Sequence, residues 1–172
     1  INIVPESQGK HTREGTIQLN PIMDDIQELY QDTIMEHSRR PRNFRRLEKP
    51  SATADGFNPL CGDQITLDLT VRDNTITEVG FVGAGCAISN ASASLMTESV
   101  NGKRTEEADE LFKAFRVMMT RGLDVDYDID LLGDLGALSG VSEFPVRIKC
   151  ATLCWHTLRN ALDNAVETAT TE

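Results

Sequence analysis

The sequence predicts a single domain that contains both a short antiparallel sheet and several helices. Residues 64–83 alternate apolar and polar side chains around a turn, which is typical of a β-hairpin. Residues 24–40 and 105–121 instead repeat apolar side chains at helical spacing. The 172 residues, 40% of them hydrophobic, are enough to bury a sizeable core within one domain.

The first 20 residues are polar and show no sustained period. We therefore expect a flexible leader over residues 1–22, followed by one domain over residues 23–172. A helix is predicted to begin at Asp24 and to end before Pro41, since proline disfavours helical geometry in the residue before it. Its apolar face consists of Ile26, Leu29, Tyr30 and Ile34.

The segment Arg39–Arg46 is a basic island in an acidic chain. It is interpreted either as a solvated loop or as an electrostatic docking patch for an acidic partner, with RNA binding a distant third. These alternatives stay open at the level of sequence.

The hairpin is predicted from residues 64–72 and 75–83, with Asp73 and Asn74 in the turn. One face of its first strand carries Ile65, Leu67, Leu69 and Val71, and the other carries Thr66, Asp68, Thr70 and Arg72. Residues 51–57 are a candidate third strand.

Two helices are predicted after the hairpin. Gly83, Ala84 and Gly85 lead Cys86 to the start of a helix rich in small residues, over 87–100, which Asn101 and Gly102 close. Thr105 is expected to cap the next helix and Gly122 to end it. Its buried face is expected to contain Ala108, Leu111, Phe112, Phe115, Met118 and Met119.

The acidic residues 124–134 do not form a calcium loop, because Ile129 and Leu135 stand where glycine and glutamate are required. We expect an acidic surface with a short helix there, and a glycine-containing loop over 133–144. Pro145 suits the first turn of a last helix. The chain is expected to fray through residues 168–172.

Composition excludes several classes of protein. The formal charge of −10 argues against general nucleic-acid binding. No apolar run is long enough for a membrane helix, and residues 1–20 lack the apolar core of a secretory signal. Four cysteines in this length do not suggest a disulfide scaffold, so a reduced, cytoplasmic protein is expected.

Four residues are predicted to form a metal site: Cys61, Asp63, Cys86 and Cys150. Three thiolates and one carboxylate suit zinc or an iron–sulfur cluster. Cys61 and Cys86 lie beside glycines at element ends, and Cys86 and Cys150 are expected near helix N-termini, where the helix dipole favours a thiolate. Cys154 lies in the apolar stripe of the last helix, so core packing is favoured over ligation.

Four motifs give the sequence a resemblance to a known family. They are HSRRPRNF (37–44), NPLCGD (58–63), FVGAGCAISNASASLMTE (81–98) and PVRIKCATLCW (145–155). Over residues 23–168 the chain resembles the U-type iron–sulfur cluster assembly proteins, the IscU and NifU N-terminal family, and within them most closely the SufU branch.

The resemblance implies an α+β fold, with a three-stranded antiparallel sheet packed against several helices and a metal site at one end. It implies that Cys61, Asp63, Cys86 and Cys150 are the metal ligands. IscU-type scaffolds carry histidine just before the last cysteine, whereas this chain has Lys149. The residues between Gly122 and Pro145 also outnumber those of such scaffolds, and both departures point to the SufU branch.

For function, the resemblance implies a zinc-dependent sulfurtransferase that accepts persulfide sulfur from a SufS-type cysteine desulfurase. Cys61 would be the catalytic acceptor, and iron–sulfur scaffolds or apo-proteins the downstream recipients. The alternative is a scaffold on which a labile [2Fe–2S] cluster is assembled on the same residues and passed on. A purely structural zinc site receives the lowest weight, since such sites are usually closed sets of cysteine and histidine.

Overall fold

A computed structural model describes the backbone of residues 21–121, 128–164 and 167–171, and the side chains of these residues from 27 onward. The expected leader over residues 1–20, the stop at Gly122 and the first part of the acidic segment lie outside these ranges. None of the described helices is both long and apolar enough to span a bilayer.

The predicted hairpin and third strand are confirmed. Strand β1 is Ala52–Asn58, β2 is Asp63–Arg72 and β3 is Thr75–Ala84, and both β1–β2 and β2–β3 pair antiparallel. A two-residue strand β4, Ala169–Thr170, pairs parallel to β1. Within the described residues the sheet therefore has four strands, in the order β3-β2-β1-β4, rather than three. The expectation that the chain end frays is wrong at this strand.

Five α-helices occur in the described residues. They are α1 Pro21–Arg39, α2 Ala87–Val100, α3 Thr105–Arg121, the short α4 Ile129–Leu132 and α5 Pro145–Leu162. Helix α1 begins three residues before the expected Asp24, so residues 21 and 22 belong to it. Thr105 is already helical, and its hydroxyl donates to Asn74 Oδ1 rather than capping the helix.

The expected loop over residues 133–144 is instead a 3₁₀ helix, Gly133–Glu143. Its physical cause is a three-residue apolar period that continues from Leu132 through Leu135, Leu138 and Val141, all of them buried. A helix with three residues per turn places these side chains on one face toward the core. The glycines and serines between them conceal this period.

The core lies between the inner face of the sheet and helices α2, α3 and α5. Leu67 and Leu69 of β2 are fully buried there, as expected for the apolar face of the hairpin. All six residues predicted for the buried face of α3 are buried. Trp155 of α5 stacks on Phe112 and Phe115, with ring centroids 5.7 and 5.0 Å away.

The basic island lies against the sheet and α2. Three of its arginines form ion pairs within the chain: Arg42 with Glu36 and Glu98, Arg45 with Glu78, and Arg46 with Asp68. Asp68, expected on the polar face of the hairpin, is completely buried because the loop that carries Arg46 covers it. Most of the positive charge in the island is therefore balanced internally.

Candidate metal centre

The four predicted ligands come from element ends that meet at one edge of the sheet. Strand β1 ends at Asn58, opposite Asp63 at the start of β2, and the loop between these two residues carries Cys61. Strand β3 ends at Ala84 beside Gln64, and α2 begins just beyond it. Because α5 packs on β1 and β2, its first turns reach the same edge.

Three of the predicted ligands form a compact cluster. One ligand atom from each of Cys61, Asp63 and Cys150 lies within 4.8 Å of the others. The Sγ atoms of Cys150 and Cys61 are 3.3 Å apart. A carboxylate oxygen and two sulfurs at this spacing match the short mutual distances that one tetrahedral metal ion requires.

Cys61 lies on the turn that joins β1 and β2. Gly62 has a positive φ of 73°, which glycine adopts at little cost, and its N–H donates to Asn58 O at 2.8 Å. Leu60, beside Cys61, is exposed. Cys61 is partly exposed, whereas Asp63 and Cys150 are buried, so Cys61 is the member of the cluster that another molecule reaches most readily.

Cys86 lies next to this cluster but its sulfur is not part of it. The cysteine is the N-cap of α2, and its Sγ accepts a hydrogen bond from Ser89 N at 3.4 Å. Its backbone N–H donates to Asp63 Oδ1 at 2.9 Å. A side chain at Gly85 would lie 3.1 Å from the same oxygen, so glycine there permits the close approach of Asp63.

Cys150 differs from what the sequence suggested. It is the sixth residue of α5 and is fully buried, so the argument that a helix N-terminus stabilises its thiolate does not apply. Burial raises the pKa of the Cys150 thiol well above its usual range, and hydrogen bonds with Cys61 and Asp63 raise it further. A metal that binds Cys150 must therefore displace its proton.

Sequence reasoning missed Asn58 as a site residue, although its motif was noted. The side chain is fully buried, and its Nδ2 lies 3.4 Å from Asp63 Oδ2 and 3.5 Å from Cys150 Sγ. Its Oδ1 accepts from the N–H of Leu60 at 3.1 Å. One amide thus links the ligand turn to two ligands, which is how outer-shell partners orient a metal site.

Arg147 was also missed, because the sequence was searched for metal-binding side chains and a positively charged arginine is not one. It lies in the first turn of α5, and its Nη1 is 3.9 Å from Cys61 Sγ. A permanent positive charge therefore lies beside the sulfur and oxygen donors of the cluster.

Cys154 belongs to the core, as predicted. It is buried beside Ser92, with its Sγ 3.4 Å from Ser92 Oγ, and it is not part of the cluster. Burial raises the pKa of its thiol to about 12. It is therefore a small apolar side chain in effect, chemically inert at neutral pH.

The donor set as a whole fits a metal ion. Two cysteine sulfurs and a carboxylate lie together, and the backbone N–H of Cys86, the third cysteine, donates to that carboxylate. Zinc binds both cysteine sulfur and carboxylate oxygen, and thiolates also bind iron–sulfur clusters. The buried amide of Asn58 supplies the outer-shell hydrogen bonds.

Comparison with known proteins adds to this geometry. Residues 29–162 match the family model of the NifU-like N-terminal domain. The chain is 45% identical over 134 residues to the zinc-dependent sulfurtransferase SufU of Bacillus subtilis, which covers 78% of this chain and 89% of that relative. It is 39% identical over 137 residues to the iron–sulfur cluster assembly scaffold protein IscU of Streptococcus pyogenes, covering 80% and 84%.

A solved structure agrees with the fold. It is a crystal structure of a proposed iron–sulfur cluster assembly scaffold protein for the SUF system, from Fervidobacterium islandicum. The TM-score is 0.72 at 36% identity, and the match covers 78% of this chain and 97% of the other.

Proposed function

Because the chain belongs to the NifU-like N-terminal domain family, we propose that it is a zinc-dependent sulfurtransferase that serves iron–sulfur cluster biogenesis. The match confirms the family that the four sequence motifs predicted. In this proposal a SufS-type cysteine desulfurase donates persulfide sulfur, and an iron–sulfur scaffold or apo-protein receives it. The proposal places the chain in the cytoplasm, where its four free cysteines stay reduced.

The observation that carries the proposal is the unequal burial of the clustered ligands. Asp63 and Cys150 are 1% and 0% exposed, whereas Cys61 is partly exposed on a glycine-containing turn. Buried ligands suit permanent binding, and an accessible cysteine suits exchange with a partner. Cys61 is therefore the proposed sulfur acceptor, and Asp63 and Cys150 are proposed permanent ligands. Cys86 is partly exposed like Cys61, and it is proposed as the third permanent ligand from the family resemblance and from its backbone hydrogen bond to Asp63.

The proposed reaction needs a thiolate. Zinc bound by Cys61, Asp63, Cys86 and Cys150 would hold the cysteines as thiolates and protect them from oxidation. The Cys61 thiolate attacks the outer sulfur of the desulfurase persulfide, since thiols themselves are poor nucleophiles. The sulfur–sulfur bond of the donor breaks, the donor cysteine leaves as a thiolate, and Cys61 carries the persulfide.

Two observations support this choice within the family. Lys149 occupies the position of the scaffold histidine just before the last cysteine, and the partial exposure of Cys61 gives a partner direct access. The 45% identity to a relative named as a zinc-dependent sulfurtransferase agrees with both.

The second candidate function is a scaffold that carries a [2Fe–2S] cluster as cargo. The 39% identity to a scaffold protein and the presence of Asp63 among sulfur ligands favour it. A hard oxygen donor holds iron less firmly than a thiolate, which suits a cluster that must be passed on.

Sulfur acceptance by Cys61 is the experiment that tests the proposal. The zinc-loaded chain is incubated with a SufS-type desulfurase and L-cysteine, and persulfide is located by peptide mass spectrometry. We expect persulfide on Cys61, its loss in Cys61→Ala and its retention in Cys154→Ala, which removes a cysteine of the core. Full transfer to Cys61→Ala would sink the proposal.

Metal content separates the two candidates. Protein purified without oxygen is analysed for zinc, iron and sulfide, and its visible spectrum is recorded. About one zinc per chain and a colourless solution are expected for a single four-ligand site. Iron with sulfide and a reddish spectrum would favour the scaffold.

A further inference from the structure

Arg147 is placed to act on the sulfur of Cys61. It lies three residues before Cys150 on α5, and residues at this spacing share one face of a helix. Its Nη1 lies 3.9 Å from Cys61 Sγ, at the long end of a hydrogen bond to sulfur. The side chain is exposed, yet its guanidinium is directed at the sulfur.

The charge of Arg147 is available to the thiols. It forms no ion pair with a carboxylate anywhere in the described ranges, unlike Arg42, Arg45 and Arg46. The surrounding cysteines raise the pKa of Arg147, chiefly through Cys150 and further through Cys86 and Cys61. Its guanidinium therefore lies in the field of three sulfurs and carries a permanent positive charge.

Three exposed apolar side chains are close neighbours of Cys61 and Arg147 in sequence. Leu60 precedes Cys61, and Phe144 and Val146 precede Arg147 at the start of α5, and all three are exposed. A partner that covers these side chains would remove water from the space around Cys61 and Arg147. A sulfur anion in that space interacts more strongly with a guanidinium than it does in water.

We propose that Arg147 is a catalytic residue of sulfur transfer, and that its guanidinium binds the outer sulfur of the persulfide formed on Cys61. The inference rests on the proposed function of the site. It deepens that function by giving the transferred sulfur a binding group on this chain other than the metal ligands.

The step balances without a further reactant. The Cys61 thiolate attacks the outer sulfur of the protonated donor persulfide, the new sulfur–sulfur bond forms, and the donor bond breaks with its electron pair on the donor thiolate. The outer sulfur gives its proton to water as the new bond forms, so negative charge develops on it in the transition state. Arg147 donates to that sulfur in a charge-assisted hydrogen bond. No net oxidation occurs, since one persulfide replaces another.

The first test measures transfer by the zinc-loaded chain with the desulfurase and L-cysteine. For Arg147→Met we expect kcat to fall by about tenfold or more, while KM for the chain changes by less than about twofold. Arg147→Lys should recover part of the rate. Arg72→Met is the matched control, because Arg72 is an exposed arginine at the opposite end of β2.

The second test does not depend on activity. The isolated full chain is alkylated with iodoacetate, an anion, or with neutral iodoacetamide, and the Cys61 peptide is quantified. In Arg147→Met the ratio of the anionic to the neutral rate should fall about fivefold, as expected for one charge at about 4 Å in water. The ratio should persist in Arg147→Lys and Arg72→Met.

The outcomes separate this inference from the proposed function. Wild-type chain that accepts no sulfur would overturn both. Wild-type transfer with an unchanged rate and an unchanged alkylation ratio in Arg147→Met would overturn the role of Arg147 alone. Loss of zinc from Arg147→Met in parallel with its rate would also overturn it, since Arg147 would then serve the structure of the site.

Discussion

The backbone N–H of Cys86 donates to the carboxylate of Asp63 at 2.9 Å. This bond joins two predicted ligands from different elements, the first residue of β2 and the N-cap of α2. It leaves the second carboxylate oxygen, Oδ2, directed at Asn58. Asp63 is thus held from two sides, and Cys86 is held beside it even though its sulfur caps the helix.

Cys86→Ser tests whether the fourth residue is a ligand. Serine is a good N-cap, so it replaces the hydrogen bond to Ser89 N and leaves the stability of α2 unchanged. It removes a thiolate ligand, so zinc affinity should fall by at least about 100-fold. This is the upper end of the loss seen when a residue that only hydrogen-bonds to a ligand is removed, and the loss of a ligand itself should be no smaller. Affinity is measured by chelator competition, and cobalt substitution should show weaker sulfur-to-metal charge transfer. Ser89→Ala is the control. Unchanged zinc affinity in Cys86→Ser would show that Cys86 is not a ligand and that the chain supplies only Cys61, Asp63 and Cys150.

Asn58→Ala tests the outer shell. The substitution removes the amide that lies 3.4 Å from Asp63 Oδ2 and 3.5 Å from Cys150 Sγ, and it leaves the Leu60 N–H without its acceptor. We expect zinc affinity to fall by about 10–100-fold. Because Asn58 is fully buried, unfolding free energy should fall by about 1–3 kcal/mol. Chelator competition and denaturant titration measure the two effects. Asn101→Ala, at an exposed amide at the C-terminal end of α2, should show neither.

Much of this site was predictable because its chemistry is local in sequence. The period of two in the hairpin and the period of 3.6 in α3 gave the elements, and glycines beside Cys61 and Cys86 marked their ends. The family motifs predicted the four proposed ligands. The contribution of Asn58 was not predictable, because it depends on where β1 brings its amide relative to Cys150, 92 residues away in sequence.

The features that sequence missed are those set by tertiary contacts. Strand β4 has two residues and no pattern of its own, and it exists through pairing with Gly56 and Phe57. Asp68 alternates correctly for an exposed strand position, yet the loop carrying Arg46 covers it. The 3₁₀ helix had a readable signal in its three-residue period, but its glycines suggested a loop.

The basic island is expected to contribute little to partner binding. Arg42 and Arg45 already pair with Glu36 and Glu78 at 2.6 and 2.8 Å, so their charges are largely balanced in the free chain. We expect the double variant Arg42→Gln and Arg45→Gln to change the KM of the desulfurase for this chain by less than about twofold. A rise in KM of more than about twofold that becomes smaller at higher salt concentration would instead support the basic island as an electrostatic docking patch. Arg72→Gln is the control for general loss of positive charge.

The buried carboxylate of Asp68 stabilises the fold to an extent that depends on pH. Burial would raise the pKa of this carboxyl, but hydrogen bonds from Arg46, Thr53 and the Leu47 N–H outweigh burial and hold it below its usual range. The carboxylate accepts from Arg46 at 2.6 and 3.1 Å and from Thr53 at 2.7 Å. Since the folded pKa lies below the unfolded value of about 3.9, this stabilisation is present above that pH and is lost as pH falls through the folded pKa.

Asp68→Asn should therefore destabilise the chain in a pH-dependent way. An amide keeps one acceptor oxygen and directs its own N–H toward donors, so unfolding free energy should fall by about 1–3 kcal/mol at pH 7. The difference from wild type should stay constant down to about pH 5 and narrow below about pH 4, as wild-type Asp68 takes up its proton. Urea titrations at each pH measure it. Glu78→Gln, which breaks the exposed pair with Arg45, should change stability by less than about 0.5 kcal/mol. If the difference in unfolding free energy between wild type and Asp68→Asn stayed unchanged down to about pH 2, the charge of Asp68 would contribute nothing to stability.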